Sequence, residues 1–238
     1  MIAVFIGPTI SAATAGEYLD AQYLPPAAQG DVFKAAQDAP LAIGIVDGYF
    51  HRVPSVWHKE ILWALSQGIH VFGSASMGAL RAAELDSFGM VGVGRIYEDY
   101  RDGIISNDDE VAVTHGPAET GYLALSEALA NIRPTLLKAQ QQQVISSTTG
   151  AALLKLAEAT FFPERSYDNL IAGARQENLP GREIDTLSDW LKAGRIDQKK
   201  HDAIDMLKHM AEFAATNPEK KQVRYHVETT YLFDDHVQ

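Results

Sequence analysis

The 238-residue chain contains no cysteine. That excludes disulfides, thiolate metal sites and any persulfide or thioester carried on the protein itself. Positive charge is also scarce: 31 Asp and Glu stand against 20 Lys and Arg, a formal charge of −11. Long-range electrostatics therefore oppose phosphate backbones and anionic lipid surfaces, so no nucleic-acid or membrane partner is expected. No apolar run approaches the roughly 20 residues of a membrane span. The opening Met1-Ile2-Ala3-Val4-Phe5-Ile6 lacks the basic region of a signal peptide, which predicts a cytoplasmic, untargeted protein. His51, His58 and His115 do not show metal-ligand spacing, and no metal or cofactor is expected. The acidic run Asp108-Asp109-Glu110 lacks the calcium-loop pattern and reads as a solvated turn, and Gln140 to Gln143 as a solvated helix face.

What is present suffices for a full core: 46% of residues are hydrophobic, punctuated by 18 Gly and 10 Pro. Met1 to Ile6, Leu41 to Val46 and Ile69 to Phe72 are short apolar runs that end in turn signals and read as buried strands. Between Ser55 and Gly68 the apolar residues Trp57, Ile61, Ala64 and Leu65 have helical spacing, with Ser55 as the expected N-cap. A further helix is expected from Met77 to about Phe88. Strand, helix, strand, helix at these lengths predicts right-handed crossovers on a parallel sheet. Glu110 to His115 alternates as a strand does. Beyond it, helices are expected over 121–143, 148–162, 167–176 and 185 to about 215, then a polar tail in which Lys220 to Phe233 forms a late strand or an ordered arm. The predicted class is α/β, an N-terminal parallel sheet flanked by helices and followed by a mainly helical C-terminal half. The expected division is a core domain over 1–118 and a helical region with an extended tail over 119–238.

The strand ends would share one edge, where open α/β sheets bind ligands. Gly73 to Leu85 joins strand to helix there through small residues and hydroxyls. Ser76 is either a helix cap or a nucleophile, with the N–H groups of Met77 and Gly78 as donors to a developing oxyanion and Ser74 as the rival hydroxyl. Lys59 falls in the first turn of its helix, where the helix dipole disfavours a cation and favours a neutral lysine able to take a proton from serine. Its bland reading is a solvated surface residue. Asp47 at a strand end is an ordinary turn residue, a partner that orients Lys59, or a substrate ligand. Arg81, one turn into the next helix, is a candidate to hold a carboxylate or a member of a surface ion pair.

Three motifs in order, Val46-Asp47-Gly48-Tyr49-Phe50, then Pro54-Ser55-Val56-Trp57-His58-Lys59-Glu60-Ile61-Leu62, then Ser76-Met77-Gly78-Ala79-Leu80-Arg81-Ala82-Ala83-Glu84-Leu85, resemble the TfuA-like proteins. With Gly89 to Gly94 and Asp108 to His115, the resemblance covers about residues 1 to 135. It implies an accessory protein for a YcaO-family enzyme in peptide-backbone thioamidation. The implied activity is hydrolysis of the C-terminal thiocarboxylate of a ThiS-like sulfur carrier, which releases sulfide. The implied site is a Ser-Lys pair, carried here by Ser76 and Lys59; Asp47, Ser74, Met77, Gly78 and Arg81 are expected around the substrate from their own places in the chain. The cysteine-free composition agrees, since sulfur cannot be relayed covalently through a thiol of this chain. The reading from another class is a non-catalytic adaptor that binds YcaO and its peptide; a small-molecule binding domain follows from fold analogy alone. The helical half carries no motif and is expected to help dock a partner through exposed charges such as Lys192, Arg195, Lys199 and Lys200.

Overall fold

The structure, a computed structural model, describes residues 1–50 and 53–228. Strands β1 (Ile2–Phe5), β2 (Gln22–Leu24), β3 (Ala42–Ile45), β4 (His70–Ser74) and β5 (Val91–Val93) form one parallel sheet in the order β2-β1-β3-β4-β5. In register, Val4 faces Gly44 and Gly44 faces Phe72. The helices between are α1 (Ala12–Ala15), α2 (Asp31–Gln37), α3 (His58–Ser66) and α4 (Met77–Leu85), with α5 (Arg95–Arg101) after β5. The expected parallel sheet with flanking helices is therefore present. β1, β3 and β4 fall where the apolar runs place them. The short strands β2 and β5, three residues each, carry no such run.

The order reverses between β1 and β3, so the loops leaving these two strands flank the crevice where doubly wound sheets bind ligands. Strand alternation sends Ile2, Val4, Ala42 and Phe72 to one face. They pack there on Ala203, Met206, Leu207 and Met210, the i, i+3, i+4, i+7 stripe of α10 (Gln198–Ala215). α2, α3 and α4 pack on one another and on β3 and β4.

By compactness the chain divides into two units. Met1–Ser106 with the segment from Lys199 onward makes the first, and Asn107–Gln198 the second. In the second, α6 (Leu129–Gln141), α7 (Ser147–Ala159), α8 (Tyr167–Gln176) and α9 (Gly181–Gly194) enclose a core that includes Ile132, Leu136, Leu153, Ile171 and Leu187.

Several local expectations are corrected. The helix expected over 121–143 begins only at Leu129, because Gly121 and Tyr122 take left-handed backbone conformations (φ 64° and 58°). Asp185 to Ala215 is two helices, broken where Ile196 donates its N–H to Thr135 Oγ1 at 2.9 Å. The strand expected at Glu110–His115 is absent: a 3₁₀ turn covers Asp108–Glu110 and only an isolated bridge joins His115 to Ala124. That acidic turn is not merely solvated. Glu110 is buried and receives two bonds from Arg133, and Asp109 pairs with the buried Arg165. Lys199, expected on an exposed face, is only 3% exposed, whereas Lys192 and Arg195 are exposed.

The tail to residue 228 forms no strand. It runs as an arm held by Lys221 N–H on Gly68 O, His70 Nε2 on Glu219 O and the Tyr225 hydroxyl on Leu62 O. The expectation for 229–233 lies outside the described residues, as does that for His51. Among the described residues no helix is long and apolar enough to cross a membrane.

Candidate active site

β4 ends at Ser74, and the chain turns into α4 within two residues. Ala75 carries the turn in the left-handed region at φ 65°, which costs an L-residue about 1 kcal/mol. Ser76 follows at φ −124°, ψ −124°. The turn is this tight because α4 begins directly against the strands: a Cβ on Gly78 would fall on the carbonyl of Ile45. Met77 closes the other side, buried against Gly48 at the end of β3.

Ser76 stands at the N-cap position but makes no capping bond with its side chain. Its carbonyl instead accepts from Ala79 and Leu80, at 3.0 and 3.3 Å, and its N–H donates to Ser74 O at 2.7 Å. Of the two expected oxyanion donors, Gly78 N–H is engaged by Val46 O at 3.2 Å. Met77 N–H has no hydrogen bond to any described residue. The two hydroxyls differ. Ser74 is fully buried and its Oγ has no partner, while Ser76 keeps 3% exposure.

Lys59 is the second residue of α3, in the first turn as expected, and is half-buried rather than fully solvated. The expected cap Ser55 lies too far upstream and donates to Tyr49 O at 2.7 Å, and the N-cap position is Trp57. Lys59 and Ser76 Oγ are not hydrogen-bonded to each other here. What brings their elements together is α4. Arg81 Nε donates to Val56 O at 3.0 Å and its Nη1 to Glu84 Oε2 at 2.6 Å, and the same oxygen meets His58 Nε2 at 2.7 Å. Arg81 thus ties the segment that enters α3 to α4, and its partner is Glu84, the ion-pair role also weighed for it.

Asp47 is buried at the switch point. Its carboxylate accepts from Gly7 N–H (2.8 Å), Thr9 N–H (3.0 Å) and the Thr9 hydroxyl (2.6 Å), which fastens the β1 loop to the end of β3. Such charge-assisted bonds are the strong ones. Sequence reasoning missed Glu60, whose side chain accepts from Trp57 N–H at 3.1 Å and from Gly30 and Phe33. Burial pushes its carboxyl above the usual range against the pull of those three N–H groups. A glutamate three residues into a helix start was the available signal.

A family model described as TfuA-like protein matches residues 47–166, half of the chain. The match begins at Asp47 and runs past the expected limit near residue 135. Asp47, Lys59, Ser74, Ser76, Met77, Gly78 and Arg81 all lie inside it. No curated protein matches the chain.

Proposed function

The chain belongs to the TfuA-like family, and from that premise we propose that it is a hydrolase of the C-terminal thiocarboxylate of a ThiS-like sulfur carrier. The sulfide it releases serves a YcaO-family enzyme that thioamidates a peptide backbone. One observation carries the reading: Ser76 sits on a strained strand-to-helix elbow with its hydroxyl unused as a cap and the N–H of the next residue open. A nucleophile needs a hydroxyl that is not tied up in a cap, and the donor that follows it is where serine hydrolases of α/β type stabilise the oxyanion.

In the proposed reaction Ser76 Oγ attacks the thiocarboxylate carbon as its proton passes to Lys59. Met77 N–H stabilises the oxyanion, and protonated Lys59 passes the proton on to sulfur as the C–S bond breaks, so that hydrosulfide leaves and Lys59 can accept a proton again. Water then attacks the acyl-serine with Lys59 as base, which returns Ser76 and frees the carrier carboxylate. Net, one water is consumed and one sulfide released, with no redox change. Lys59 has to swing onto Ser76 when substrate enters; in unliganded sites such bonds are often long. Asp47 and Arg81 hold the loops that frame the crevice.

Groups that act as one unit are non-additive on removal. Ser76→Ala, Lys59→Ala and the double variant are expected to lose carrier hydrolysis by a similar factor, on the order of 10³. Sulfide release measured with purified thiocarboxylated carrier checks this. Near wild-type turnover in Ser76→Ala rejects Ser76 as the nucleophile.

A further inference from the structure

Glu60 is 2% exposed, and its two oxygens serve two helices. Oε1 accepts from Trp57 N–H at the start of α3 (3.1 Å) and from Gly30 N–H (2.8 Å), and Oε2 accepts from Phe33 N–H (3.3 Å). Gly30 is the N-cap of α2, at φ 89°, and has no side chain to cap with. Asp31, its neighbour, turns to Ala28 N–H at 2.9 Å. Glu60 therefore provides from α3 the cap that α2 lacks while capping its own helix. Backbone bonds stitch the same two loops together, Gln29 N–H to Pro54 O and Ala27 N–H to Asp47 O, both at 2.9 Å.

A serine or asparagine at position 57 would satisfy the start of α3 without burying a charge. The observed arrangement buries a carboxylate, which is costly unless it is well bonded, and in exchange locks the first turn of α3 to the first turn of α2. Lys59 is the residue immediately before Glu60 in that locked turn.

We propose that Glu60 is a positioning residue for the hydrolysis: by holding the first turn of α3 against α2 it fixes the place from which Lys59 reaches Ser76. This rests on the Ser76–Lys59 reading above. Two consequences separate it from plain structural support. Its loss acts on the chemical step more than on substrate binding, because Glu60 itself touches no substrate. And its loss matters only while Lys59 is there to be positioned.

The test is a double-mutant cycle in the full-length protein, with thiocarboxylated carrier as substrate. Glu60→Ala is expected to lower kcat about tenfold or more with KM within about twofold, and to leave kcat unchanged when introduced into Lys59→Ala. Glu60→Gln keeps an acceptor for Gly30 and Trp57 and is expected to regain most of the loss. Thermal midpoints of the same proteins should fall equally in both backgrounds. An equal kcat loss with and without Lys59, or a wild-type kcat in Glu60→Ala, overturns the proposal while the hydrolase reading stands. A wild-type protein that releases no sulfide removes that reading, and the proposal with it. If Glu60→Ala does not fold, the Glu60→Gln pair carries the same cycle with a smaller factor.

Discussion

At the β4–α4 elbow, Ser76 Oγ, Met77 N–H and the sealed Ser74 Oγ have no hydrogen bond to a described residue. The first two are the pair that acyl chemistry needs side by side. Because Met77 is the first residue of α4, its N–H is not part of the helix ladder, and proline is tolerated there. Met77→Pro thus deletes one donor and keeps the helix, with Met77→Ala as the control for the lost side chain. Similar thermal midpoints are expected for the two, with turnover in the proline variant lower by about 10²-fold or more, the usual cost of an oxyanion donor. Equal turnover in both would remove Met77 N–H from the mechanism. The strand-to-helix turn that carries Ser76 and Met77 was legible from residue type and spacing. The separate fates of Gly78 N–H and Asp47 were not, since their partners Val46, Gly7 and Thr9 lie more than 30 residues away in the chain.

At the scale of elements, α4 is seated by the absence of a side chain at Gly78, over which the carbonyl of Ile45 passes. A methyl group there forces the helix off β3 and opens the elbow. Gly78→Ala is expected to destabilise the protein by about 3 kcal/mol, at the upper end of overpacking costs, as read by urea unfolding, and to abolish hydrolysis even at temperatures where it remains folded. Unchanged stability would mean that α4 is not held as described. The helix itself was plain in the sequence, as were β1, β3, β4 and α8, because each is a local apolar pattern with a stop signal. Elements fixed by distant partners were not. Helical periodicity runs on through Arg195–Asp197, and the bond of Ile196 N–H to Thr135, some 60 residues earlier, shows why the chain breaks there. The alternation of Glu110–His115 imitates a strand, but Glu110 turns inward to Arg133. β2 and β5 are three residues long, too short for period two to declare itself.

Over the whole molecule, the sheet's second face is finished by the last helix, after the chain has built a separate helical unit. α10 returns to lay Met206 and Met210 on Gly44 and Val4, and Asp202 Oδ2 accepts from Ile96 N–H at 2.7 Å to cap α5. Nothing local in the sequence announces this return, which is why Lys199 reads as a surface charge and is found buried. The α/β class was nonetheless legible, because three apolar strands and their helices fall within the first 90 residues, and the same stretch carries the residues proposed for catalysis. The proposed hydrolysis needs this chain and its carrier and no other protein. The direct measurement incubates purified protein with thiocarboxylated carrier, without any YcaO enzyme, and follows sulfide and the carrier's mass together. Catalytic release of sulfide with conversion of thiocarboxylate to carboxylate, lost in Ser76→Ala, is expected; a carrier that stays thiocarboxylated until a YcaO enzyme is added would overturn the proposed hydrolysis and make the protein an adaptor.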